Sequence, residues 1–67
     1  MKNQEEFTKD LTEDLSQHFD VSEEIINEFD LNPVFIEYAN HIAQGEDDST
    51  AYDYVKKLAI DSLQDKF

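Results

Sequence analysis

Leu31-Asn32-Pro33-Val34-Phe35-Ile36-Glu37-Tyr38-Ala39-Asn40-His41-Ile42-Ala43-Gln44-Gly45 holds the only proline and the only glycine of the 67 residues. Both fall where a helix would be punctuated. Pro33 suits the first helical position, because its φ is already helical and its missing N–H would have had no partner there. It also disfavours helical geometry in Asn32, whose side chain is then free to cap. Gly45 supplies a stop. The apolar residues between them wrap around more of the cylinder than a single stripe would, which predicts a central, most buried helix over about 33–44.

With no other Gly or Pro to build hairpins, helix is the default on either side. Upstream, Asn3 and Glu6 have capping-box spacing, and Phe7, Leu11 and Leu15 recur every fourth residue, predicting a helix over about 4–18. Asp20-Val21-Ser22-Glu23 carries a second cap signal before Ile25, Ile26 and Phe29, predicting a short helix over about 21–29. Downstream, Glu46-Asp47-Asp48-Ser49-Thr50 is a loop whose acids suit the positive end of a helix over about 50–64, with Ala51, Val55, Leu58, Ala59 and Leu63 on one face. The expectation is one all-α domain over 1–67, a compact bundle of four short helices. A three-helix variant arises if 20–30 forms only a turn and the first helix packs directly on the last two.

Charge is the most uneven property of the chain. Seventeen Asp and Glu oppose five Lys and no Arg, a net charge of −12. Such a balance excludes direct binding of nucleic acid or anionic membrane through a basic surface. Residues 1–30 hold ten acids and two Lys, net −8, and residues 31–67 hold seven acids and three Lys, net −4. The absence of cysteine excludes disulfides, thiolate metal sites and a Cys nucleophile. Met1 to Glu6 becomes polar where a signal peptide would become apolar, and no apolar run is longer than the three residues of Val34-Phe35-Ile36. The expected location is cytoplasmic.

Glu6, Asp10, Glu13 and Asp14 lie three and four residues apart, so one helix face carries them, and Glu23, Glu24 and Glu28 extend the pattern. Carboxylates repeating roughly every 6 Å along a helix can occupy a groove built for phosphates. The expected function is therefore a non-enzymatic inhibitor, a nucleic-acid mimic of the anti-defence or antitoxin kind, that occupies the basic nucleic-acid-binding surface of a partner protein. Tyr52 and Tyr54, two apart on a helix, point to different sides, and the exposed one would anchor the contact. The alternative is a self-associating helical module, a homodimer through Ile36, Ile60 and the tyrosines, whose acidity serves solubility.

Chemistry finds less support. Asp14 with His18 and Glu37 with His41 each share a face at i, i+4, but two ligands close no metal site. No phosphate loop, nucleophile elbow or catalytic triad can be assembled, so neither an enzyme nor a cofactor is expected. Asp20 to Gly45 resembles a helix-turn-helix in length and punctuation, yet Glu37, Asn40, His41 and Gln44 offer no cation to a phosphate.

Overall fold

The computed structural model describes residues Met1 to Phe67 and is 76% helical with no strand. Its elements are α1 (Gln4–Phe19), α2 (Glu23–Ile26), α3 (Asn32–Ala43) and α4 (Asp48–Leu63), closed by a 3-10 turn over Gln64–Lys66. The four-helix, all-α reading holds. Three helices are long, and α2 is a single turn.

α1 starts where its cap predicts. The Asn3 side chain accepts the Glu6 N–H at 2.8 Å, although Glu6 makes no return bond, so only half of the capping box forms. Replacing Asn3 by Ala is expected to cost about 1 kcal/mol. Thermal unfolding followed by circular dichroism should then move down by roughly 4–8 °C for a domain of this size.

Asp20 does not begin the second helix; it ends the first. Its backbone is left-handed, φ 56° and ψ 47°, a geometry that Asp tolerates because its short polar side chain bonds locally. The Val21 N–H then reaches back to the Ser16 carbonyl at 3.1 Å, closing a Schellman-type end. Ser22 takes over as the cap position of α2 without a side-chain bond, and beyond Ile26 the chain tightens into turns. Glu28 N–H bonds the Ile25 carbonyl and Phe29 N–H the Ile26 carbonyl, both of the three-residue kind. The predicted helix over 21–29 is thus one α-turn followed by tighter ones.

Asn32 is not a side-chain cap either. The Asp30 carboxylate accepts the Asn32 N–H at 3.0 Å, and the Asn32 side chain instead accepts the Gln4 amide at 2.6 Å, tying α3 to the start of α1. Gly45, φ 99°, ends α3 as expected, in a conformation that any other L-residue would strain. Asp47 caps α4 by accepting the Thr50 N–H at 2.8 Å, so α4 begins two residues earlier than its loop composition suggested.

The core joins Phe7, Leu11 and Leu15 of α1, Ile26 and Leu31, Tyr38 of α3, and Ala51, Val55, Ala59 and Leu63 of α4. α3 and α4 pack antiparallel: Tyr38 and His41 meet the start of α4 at Asp48 and Tyr54, while Pro33 and Val34 lie beside Ser62. The first turns of α1 cross α3, setting Phe7 against Tyr38 at 4.8 Å between ring centroids, Phe35 at 5.3 Å and Tyr52 at 5.8 Å. Phe67 stacks on Phe19 and meets Phe29 edge-on, closing the opposite end.

α3 is not the most buried helix. Tyr38 is its only fully buried residue, and Ile36 is 59% exposed. Residues two apart on a helix diverge by about 200°, so burying Tyr38 turns Ile36 outward. Three long helices cannot surround one of their own number, and α3 covers the core from one side.

Candidate functional site

The acids singled out by spacing divide into two groups once side chains are placed. Asp10 and Asp14 lie on the flank of α1 that faces α4, and both are engaged within the chain. Lys2 Nζ pairs with Asp10 Oδ2 at 2.9 Å and sits 4.7 Å from the centre of the Tyr52 ring. The Tyr52 hydroxyl donates to Asp14 Oδ2 at 2.5 Å. The hydrogen bond to Asp10 holds the Lys2 ammonium pKa above its ordinary value. Burial, and then the hydrogen bond to Asp14, push the Tyr52 phenol far above its ordinary 10.0.

Tyr38 repeats the arrangement deeper in the fold. Its hydroxyl donates to Asp48 and accepts the Lys2 backbone N–H at 2.8 Å, and burial followed by the Asp48 bond raises its pKa. The sequence marked Tyr38 as one apolar residue of a helix, whereas its hydroxyl joins the N-terminal strap to the start of α4. Partners 36 and 10 residues away leave no local signal.

The sign of the pH effect follows. A phenol whose folded pKa lies above its unfolded value contributes stability that is complete below the unfolded value and is lost as pH rises through the folded one. Stability is therefore expected to fall as pH climbs past 10.0, the ordinary value of both phenols. Tyr52→Phe should make that alkaline fall shallower, leaving the share of Tyr38. Urea midpoints on either side of that pH test this; equal slopes for the two proteins would refute it.

The other predicted acids are free. Glu6, Glu13, Glu23, Glu24 and Glu28 form no side-chain hydrogen bond or ion pair, and Glu5 and Asp20, which spacing did not single out, join them. Lys9, exposed among them, pairs with none. Beyond residue 30 most carboxylates have partners: His41 contacts Glu46 and, at 3.7 Å, Glu37, while Asp47 caps α4 and Asp48 accepts from Tyr38. Asp53, Asp61 and Asp65 remain free there. Seven of the ten carboxylates before residue 31 are thus free of hydrogen-bond and ion-pair partners, against three of the seven after it.

Between α1 and α2 runs a groove of about 560 Å³ lined by Gln4, Glu5, Thr8, Lys9, Thr12, Glu23 and Asn27, without a hydrophobic side chain. Glu5 and Glu23 face it from opposite walls. The groove's amides, hydroxyls and two carboxylates offer acceptors, with the Lys9 ammonium set among them. Glu5 escaped notice because its neighbour Glu23 is eighteen positions away in sequence.

Neither tyrosine reinforces this face as an open anchor. Tyr52 is half-buried towards α1 and committed to Asp14, while Tyr54, 47% exposed, lies towards α3 with its ring 4.6 Å from His41. Ile36 and Ile60 are also separated. Ile36 projects from the outer side of α3, and Ile60 lines a cleft with Asp14, Gln17, His18 and Lys56 between α1 and α4. No helix is long and apolar enough to cross a membrane, and no three His, Asp or Glu side chains gather to ligate a metal. Compared with family models, with curated proteins and with solved structures, the chain matches none.

Proposed function

We propose that this chain is a non-enzymatic protein-binding protein whose α1–α2 face covers a basic, nucleic-acid-binding surface of a partner and competes with nucleic acid for it. The observation that carries the reading is the run of unpaired carboxylates, Glu5, Glu6, Glu13, Asp20, Glu23, Glu24 and Glu28. Internal cations leave them uncompensated, so their mutual repulsion falls when a basic surface approaches. Asp10 and Asp14 lie behind them: Asp10 is offset by the Lys2 ammonium, and Asp14, bonded only to the neutral Tyr52 hydroxyl, adds its charge to the field. Charge complementarity of this kind speeds encounter more than it tightens the final complex.

The test is capture of partners on the tagged chain, followed by competition between the chain and DNA or RNA for the captured protein. Displacement of nucleic acid supports mimicry; recovery of no basic protein counts against it. Affinity is expected to weaken at least about tenfold as salt rises from roughly 50 to 500 mM, because the Debye length shrinks from about 14 Å to about 4 Å. Affinity that stays flat across that range would sink the proposal.

A further inference from the structure

The surface that remains most apolar lies elsewhere, where α3 and α4 run side by side. Leu58 is 39% exposed and Tyr54 47% exposed, and both project beside α3. Next to Leu58 is a cavity of about 220 Å³ lined by Pro33, Val34, Glu37, Leu58 and Ser62. It continues through Pro33, Val34 and Ser62 into a second cavity of about 280 Å³ floored by Phe29, Leu31, Ala59 and Leu63 and edged by Asp30. The result is a groove open along its length.

Its dimensions suit a helix. From Tyr54 to Ser62 the α4 wall advances eight residues, about 12 Å at 1.5 Å per residue, close to the span from i to i+7 on an incoming helix. Two antiparallel helices present such a trough, and a third seats its apolar stripe between them at the usual 8–10 Å spacing.

Charge selects the occupant. The only charged side chains lining the two cavities are Asp30 and Glu37, both acidic, and no lysine lines either. A second copy of this chain would bring another −12 against them. A segment with Lys or Arg beside its apolar stripe would instead meet two carboxylates along the α3 wall, Asp30 just before its start and Glu37 about two turns on. We infer that the α3–α4 groove docks an amphipathic, basic-flanked helix of another protein, a surface separate from the acidic face of α1 and α2. Leu58 and Val34 supply the apolar contact, and Asp30 and Glu37 set the orientation.

A synthetic Lys/Leu peptide of about four helical turns, leucines at i, i+4 and i+7 spacing, is the probe. Backbone amide NMR is expected to place the largest shifts at Val34, Glu37, Leu58 and Ser62. Leu58→Ser, at a half-exposed position whose fold is checked by circular dichroism, should weaken binding about tenfold, and Leu58→Met should restore it. A peptide of identical composition in scrambled order should bind at least tenfold more weakly. Joint replacement of Glu6, Glu13, Glu23, Glu24 and Glu28 by Gln should change binding less than about threefold, which separates this groove from the acidic face. Equal binding of the scrambled peptide, shifts confined to α1 and α2, or indifference to Leu58→Ser overturns the inference. Self-association through the groove in the absence of peptide overturns it as well.

Discussion

Phe7→Ala is expected to remove a large part of the fold's stability at 25 °C. Phe7 is fully buried on the first turns of α1, and its ring touches those of Phe35, Tyr38 and Tyr52, so it joins all three long helices at one point. Truncating a buried Phe costs about 3–5 kcal/mol, part lost transfer and part cavity, and the edge-on and stacked contacts add to it. Against that stands a total stability of roughly 3–10 kcal/mol for a chain of this length, lowered further by self-repulsion at net −12. Loss of one ring therefore removes from about a third to all of that stability. The void cannot collapse cheaply, because Tyr38 is held by Asp48 and Lys2 and Tyr52 by Asp14. Urea titration at 222 nm checks this. The variant's urea midpoint should fall far below the parent's, by about 3–5 kcal/mol in stability, whereas Ile36→Ala, at an exposed position, should unfold within about 0.5 kcal/mol of the parent. A Phe7→Ala protein with a full cooperative transition and a loss under about 1 kcal/mol would mean that the core is centred elsewhere.

That result would rest on a residue legible from sequence alone. Phe7, Leu11 and Leu15 are spaced to bury one stripe, and they do, because a charged remainder leaves that face no alternative. The misreadings occurred where local signals competed. Asp20 carries the chemistry of an N-cap and of a left-handed end, and the chain used the second because Val21 then closes on Ser16. Apolar residues all around α3 suggested a central helix, but centrality depends on how many neighbours exist, which no window of sequence records. The candidate site was legible as composition and spacing only. Which carboxylates were already taken depended on Lys2 reaching eight residues to Asp10 and Tyr52 reaching 38 to Asp14.

Converting Glu6, Glu13, Glu23, Glu24 and Glu28 together to Gln is expected to separate binding from stability. The substitution removes five of the seventeen acidic charges, all of them without internal partners, and leaves every core contact in place. Two effects on folding oppose each other. Neighbouring carboxylates about 6 Å apart repel by roughly 0.3 kcal/mol per pair in water after screening, and that is relieved. Glu6, Glu23 and Glu24 also sit in first turns, where negative charge favours the helix by about 0.3–1 kcal/mol each, and that is lost. Gln and Glu have nearly equal helix propensity, so the balance should stay within about 1 kcal/mol of the parent. Binding has no such compensation. If each free carboxylate contributes roughly 0.5–1 kcal/mol against a basic surface at low salt, the five together account for a factor of about a hundred or more. Most of it should appear in the association rate and vanish at high salt, where the parent and the variant converge. Stopped-flow association with the captured basic protein, alongside urea unfolding of both chains, measures the two quantities independently. If the variant folds like the parent and still binds within about threefold at low salt, the acidic face is a solvated surface and the partner is recognised elsewhere. If it instead loses binding while Leu58→Ser leaves the same partner unaffected, the free carboxylates of α1 and α2 are the contact.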